Sequence, residues 1–105
     1  MAMADYLYIV QMDIPADKEA DFNRIYDTQH VPSILTVPGV ESCTRFKLES
    51  ADVDGIPTYL ALYAIDSPDI PQSAAWIAES DKGDWASQIR PHTSNRTHLI
   101  FKKVG

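Results

Sequence analysis

Cysteine is almost absent from this chain: Cys43 is the only one in 105 residues. No intrachain disulfide can form. That usage fits a reducing compartment, so the expected location is cytoplasmic. Glycine is also scarce, with 4 residues and none clustered, so no Gly-rich phosphate loop can be built. There is no Gly-x-Ser-x-Gly elbow, no His-x-x-x-His and no Cys-x-x-Cys. His30, His92 and His98 share no ligand spacing, so no metal site is expected. No apolar run approaches the roughly 20 residues that a membrane span needs. Residues 1–6 carry Asp5 and no basic residue, which is unlike a secretory signal. Basic residues are few as well: Lys and Arg total 9 against 15 Asp and Glu, a net charge of −6. Such a field repels phosphate backbones and anionic lipid, so neither nucleic acid nor membrane is an expected partner.

What is present is an ordinary globular balance, 45% hydrophobic and 23% charged, at the length of one domain spanning 1–105. The 7 prolines punctuate element ends. Residues 6–12, YLYIVQM, are aromatic and β-branched and predict a strand. Pro15 then opens a helix, with Asp17, Glu19 and Asp21 near its positive end. Phe22, Ile25, Tyr26 and Gln29 recur at helical spacing. Pro32 cannot donate to the carbonyl of Thr28, so a kink or restart is expected near His30, followed by a short piece over residues 33–37.

Residues 40–49 alternate, with Ser42, Thr44, Phe46 and Leu48 facing one way and Cys43, Arg45 and Lys47 the other. After a turn-rich loop, residues 58–66 alternate again: Tyr59, Ala61, Tyr63 and Ile65 against Leu60, Leu62 and Ala64. Ser67-Pro68 starts another helical region that runs to Ser80, with Gly83 as its stop. Asp84 is placed to cap one more turn, residues 85–90. Residues 95–104 form a last strand, Thr97, Leu99 and Phe101 opposite Arg96, His98, Ile100 and Lys102.

Strand, helix, strand, strand, helix, strand is the split βαβ order of an α+β, ferredoxin-like βαββαβ fold. Two helical regions cover one face of a four-stranded antiparallel sheet. Yet each strand is apolar on both sides, and a second copy of the chain is the simplest cover for the other face. A homodimer is therefore expected.

Residues 22–32, FNRIYDTQHVP, followed by Val37-Pro38-Gly39-Val40 and Arg45-Phe46, resemble the dimeric α+β barrel superfamily, most of all its EthD-like branch. Ile25 stands where that branch often has Trp, and Gln29 where it often has Glu. The resemblance implies a dimeric α+β barrel with a pocket between the sheet and its own helices. Relatives include cofactor-free monooxygenases, polyketide cyclases, lactone isomerases, haem enzymes and proteins with no assigned activity, so fold alone does not select the chemistry.

Within that frame His30 is the leading candidate. With Phe22 at zero on a helical wheel it lies about 80° away, at the edge of the buried face. An imidazole of ordinary pKa exchanges a proton near neutral pH. The bland reading is a ring that caps the broken turn. Tyr26, four residues earlier, can stand beside it and orient a carbonyl, or simply fill core. Arg45 enters the pocket to hold a carboxylate or enolate if its face looks toward the helices; facing the other way it is an interface ion-pair partner. Tyr8 and Tyr63 are pocket-wall candidates. Trp76 and Trp85 are candidates to stack on a flat ligand, or to pack the core. Arg90 and His92 lie before the last strand, where a loop shapes a pocket mouth or merely connects. Cys43 has no His near it in sequence and reads as a packed small residue.

The expected function is a small cofactor-independent enzyme. Its substrate would be an aromatic, polyketide-like or carbonyl-bearing small molecule, handled by proton transfer: cyclisation, isomerisation, lyase chemistry or enolate oxidation. The catalytic set would be His30, Tyr26 and Arg45. The alternative is a non-catalytic small-molecule-binding or accessory dimer without turnover.

Overall fold

The structure, a computed structural model, describes residues 4–105. Strands β1 (Tyr6–Asp13), β2 (Val40–Lys47), β3 (Tyr59–Ile65) and β4 (Ser94–Lys102) form one antiparallel sheet in the order β2-β3-β1-β4. Helical segments separate β1 from β2 and β3 from β4, so the order is the ferredoxin-like βαββαβ.

The register sorts the strands into two faces, because directly paired residues point the same way. Val10 pairs with Ala61 on one side and His98 on the other; Ala61 pairs in turn with Arg45. That row belongs to the inner face, where Val10, Met12, Tyr59, Ala61, Tyr63 and Ile65 are buried. The alternation in β2, β3 and β4 is as the sequence predicts. It places Arg45 and Cys43 toward the helices and Phe46, Leu99 and Phe101 on the opposite face. Phe46 and Phe101 are each 52% exposed there.

Helix α1 (Glu19–Ile25) passes into a π-helical turn, Tyr26–His30, and then into α2 (Val31–Ile34). The break expected near His30 takes the form of a restart: the π-helical turn ends there and α2 begins at Val31. The backbone stays helical at Tyr26, His30 and Val31, and the Val31 N–H reaches back to the Tyr26 carbonyl. The wider turn takes in an extra residue and leaves Pro32 in the first turn of α2, where its missing N–H costs little. The second piece accordingly starts at Val31 rather than Ser33.

Helix α3 (Ala74–Ser80) starts at Ser73, whose Oγ accepts from the Trp76 N–H at 3.1 Å. Gly83 follows with φ +66, a conformation that favours glycine. A second π-helical turn, Trp85–Ile89, then leads to β4. Asp84 precedes it but does not cap it; its carboxylate binds Gln29 and Gln88 instead.

The helical layer closes over the inner face through Phe22, Ile25, Tyr26, Ile34, Trp76, Trp85 and Ile89, all buried. It stops short of β4, where Arg96 and His98 stay exposed. No helix among the described residues is long and apolar enough to cross a membrane.

Candidate active site

The two π-helical turns face each other, and their contact sets the site. His30 ends the first turn and Trp85 begins the second. Their rings stack with centroids 4.6 Å apart at 30°. The residues just before them are tied together. Gln29 Nε2 donates to the Asp84 carboxylate at 2.9 Å, and the Asp84 backbone N–H donates to Gln29 Oε1 at 3.0 Å. This pair of hydrogen bonds, one to the Asp84 side chain and one from its backbone, ties the turns together beside the His30–Trp85 stack. A side chain at Gly83 would run into Gln29 Oε1, with a Cβ only 2.7 Å away.

His30 is 6% exposed, and it is the buried polar residue of the core. Its Nδ1 is buried without a hydrogen-bond partner. Such an orphan costs about 1–3 kcal/mol, which packing could have avoided with an apolar ring. Burial pushes the His30 pKa down to about 3, and the guanidiniums of Arg90, Arg96 and Arg45 add to the effect. In place of the ordinary imidazole expected from the sequence, the ring is neutral throughout the physiological range. A neutral imidazole offers one acceptor and one donor nitrogen.

Around His30 lies a cavity lined by Tyr8, Val10, Met12, Tyr26, Tyr63, Trp76, Ser80, Trp85, Arg96 and His98. Its volume is about 50 Å³, and it opens to solvent. The walls are aromatic rings packed edge to face: Tyr26 on His30 and on Trp85, each at 4.9 Å, and Tyr63 on Trp76 at 5.0 Å. Tyr8 packs edge-on against Trp76 at 5.4 Å and lies 6.3 Å from the His98 ring.

The hydroxyls of Tyr26 and Tyr63 are 3.1 Å apart in the interior. Burial holds both phenols well above the usual range, so both stay protonated. One proton of the pair is used in the mutual bond, and the Tyr63 hydroxyl is also hydrogen-bonded with the Cys43 thiol. Burial also raises the Cys43 thiol beside them to about 11, so it is not a thiolate nucleophile at neutral pH.

Of the sequence candidates, His30, Tyr26, Tyr8, Tyr63, Trp76 and Trp85 come together around this cavity. Arg45 does not line it. Its guanidinium sits over the opposite side of the Tyr26 neighbourhood, 4.4 Å from that ring centroid and 5.1 Å from Phe22. There it donates to Asp27 Oδ1 at 2.7 Å and Asn23 Oδ1 at 2.8 Å. Asn23 in turn donates to Tyr59 Oη, which donates to Glu19. Arg90 also lies outside the lining. It donates to Asp81 at 2.9 Å and to the backbone and hydroxyl oxygens of Ser80, clamping the end of α3 to the turn before β4. His92 is exposed and outside the lining.

The cavity also holds residues that the sequence reading did not single out as site residues: Arg96, His98, Ser80, Val10 and Met12. Arg96 and His98 were placed together on one side of the last strand by alternation. That this side is the inner one needed the pairing of Val10 with His98. Among the described residues no group of three or more His, Cys, Asp or Glu could hold a metal ion.

The fold is similar to that of solved proteins of the EthD family and others. An EthD family protein from Bacillus halodurans superposes with a TM-score of 0.67 at 15% identity, over 94% of this chain and 98% of that one. The haem-degrader MhuD from Mycobacterium tuberculosis, with two haems in its active site, gives 0.60 at 16% identity, over 94% and 95%. HapK from Hahella chejuensis gives 0.63 at 12% identity, over 95% and 93%. At these identities the likeness is one of fold. No family model and no curated protein matches the sequence.

Proposed function

We propose that the protein is a small enzyme that takes an aromatic or polyketide-like carbonyl compound into the His30 cavity and moves a proton on it without a cofactor of its own. The observation that carries this reading is the unpartnered, buried His30 Nδ1 in a cavity walled by aromatic rings. A neutral imidazole accepts the O–H of a phenol or enol. As negative charge develops on the substrate, the adjacent anion raises the proton affinity of the ring, and the proton can pass to it. An O–H of the Tyr26–Tyr63 pair, turned from its internal partner, is the donor for a carbonyl or enolate oxygen. Tyr8, Trp76 and Trp85 hold the flat part of the molecule. The same low basicity of His30 favours the second reading, a binding protein without turnover.

Haem, which MhuD binds, is not part of the reading. Pockets for drug-sized ligands run to about 300–1,000 Å³. At about 50 Å³ the cavity is far below that range, because Trp85, Tyr26 and Tyr63 occupy much of the space around it. A macrocycle does not fit it; a compound of one or two rings would place one edge in the cavity and the rest in its open mouth.

A second copy of the chain covers the outer sheet face in this proposal. Phe46, Leu99 and Phe101 are more than 40% exposed on it, beside half-buried Leu7, Ile9, Leu60 and Leu62. Sedimentation should give a dimer for the parent and a monomer for Phe46→Lys/Phe101→Lys. A monomeric parent at micromolar concentration would contradict the dimer.

The enzyme reading is tested by a thermal-shift screen against phenols, aromatic acids, quinones and lactones, followed by turnover of any hit, with His30→Ala beside the parent. A ligand at about 100 times its Kd raises stability by about 2.7 kcal/mol. Stabilisation and turnover in the parent, both lost in His30→Ala, support the enzyme. Binding without turnover supports the second reading. Equal shifts in both proteins would remove His30 from the site.

A further inference from the structure

The cavity is asymmetric in charge. Its inner end carries the uncharged His30, Tyr26 and Tyr63, and its mouth carries Arg96 and His98. Three guanidiniums act on His30. Two of them are neutralised locally: Arg45 by Asp27 at 2.7 Å and Arg90 by Asp81 at 2.9 Å. Among the described residues Arg96 has no carboxylate partner; its one side-chain neighbour is His98, with Nη2 and Nε2 3.4 Å apart. An unpaired arginine at the cavity of a chain with net charge −6 is not there for bulk attraction. With 15 acidic side chains available, the mouth is nonetheless left without one among the described residues, so a cation lines the hollow with one arm of its fork on His98 and no carboxylate to meet the other. His98 adds a second ring nitrogen and lies almost parallel to Tyr8, at 27°.

We propose that Arg96 and His98 form an anion subsite, and that the ligand of this cavity is an aromatic carboxylic acid of one or two rings. Its carboxylate lies at the mouth on Arg96 and His98, and its hydroxyl or carbonyl lies at the His30 end. The ring system between them rests on Tyr8 and Trp76. This deepens the functional reading above and rests on it, because it takes the His30 cavity as the binding site. It explains why the polar groups of the cavity divide into a neutral end and a cationic end.

The test compares a hydroxynaphthoate with its methyl ester, by quenching of tryptophan fluorescence and by calorimetry, on the parent, Arg96→Gln and His30→Ala. The acid should bind the parent at least about tenfold more tightly than the ester, as a charge-assisted bond to arginine allows. Arg96→Gln should bring the acid to about the level of the ester and weaken the ester far less than the acid. Arg96 is exposed, so this variant is expected to fold. His30→Ala should weaken acid and ester alike. Equal binding of acid and ester to the parent, with both still dependent on His30, would overturn the anion subsite and leave the cavity standing. An acid preference that survives Arg96→Gln would also overturn it. Failure of both compounds to bind, or binding indifferent to His30, would overturn the cavity reading and this inference with it.

Discussion

Two hollows share the Tyr26 side chain, along with Val10 and Met12, and they treat their polar groups in opposite ways. On the β2 side Arg45 has every need met. It has Asp27 and Asn23 as acceptors and three aromatic rings within 6 Å, and the space left beside it is about 10 Å³. On the β4 side His30 has an orphaned nitrogen, and Arg96 has no carboxylate, around a hollow that opens outward. The first is a finished packing arrangement. The second stores an unmet demand for a hydrogen bond and a negative charge, and that demand is what a ligand supplies. Arginine and histidine are both chemistry-bearing residue types; what separates their roles here is whether the protein itself already satisfies them.

The contrast is sharpest under mutation. Replacing His30 with Phe removes the orphan and fills its place, so turnover or ligand affinity should fall by about a hundredfold or more while the melting midpoint holds or rises. A midpoint that collapses would assign His30 to the structural side.

Next in size is the response to acid. Above about pH 3 the native ring is neutral, whereas in the unfolded chain it takes a proton below the ordinary 6.5. Between these values the unfolded state holds more protons, so stability falls as pH drops. The slope contributed by His30 approaches about 1.4 kcal/mol per pH unit and vanishes above about pH 7. Denaturant titrations of the parent and His30→Phe at pH 4.5 and pH 7.5, values chosen to straddle about 6.5, should show a smaller acid loss in the variant. Equal losses would mean that His30 is not held neutral by burial.

Arg45→Ala should do the reverse of His30→Phe. It removes the guanidinium from the Tyr26 and Phe22 rings and leaves Asn23 without a donor, at a cost of about 2 kcal/mol in stability. Affinity in the His30 cavity should change less than about threefold, measured at a temperature where the variant is folded. A large loss of affinity with full stability would move Arg45 into the functional set.

The smallest effect concerns the tie between the two π-helical turns. Gln29→Ala deletes both bonds to Asp84 and should cost about 1–2 kcal/mol. It should also weaken ligand binding, because the His30–Trp85 stack loses its spacer. Gln29→Glu sets a carboxylate against the Asp84 carboxylate and should be worse than Ala near neutral pH. Chemical denaturation and the tryptophan fluorescence of the folded state check both.

Much of the fold was legible because strands report their faces by alternation. Thr44-Phe46-Leu48 against Cys43-Arg45-Lys47 fixed the two sides of β2 before any pairing was known. What alternation cannot give is which side meets the helices; that follows from the pairing of Arg45 and His98 into the Val10–Ala61 row. The helical regions were legible in place but not in kind. Pro32 predicts a break from local sterics, and the observed π turn is a tertiary solution that lets Tyr26 and His30 both face inward.

The candidate site divides in the same way. The aromatic residues around His30 stand out by residue type and helical or strand period. The partition of Arg45 and Arg90 away from the cavity and of Arg96 into it depends on which carboxylates the fold brings near. Asp27, Asp81 and their arginines are 18 and 9 residues apart, beyond what local spacing reveals.

The account turns on a neutral, unpartnered His30. An NMR titration of its imidazole, with and without a hydroxynaphthoate, tests that claim most directly. The account predicts a ring that stays neutral from about pH 8 down to about pH 4 in the free protein, and whose nitrogen signals move when the acid is added. A ring that titrates near 6.5 and ignores the ligand would contradict it.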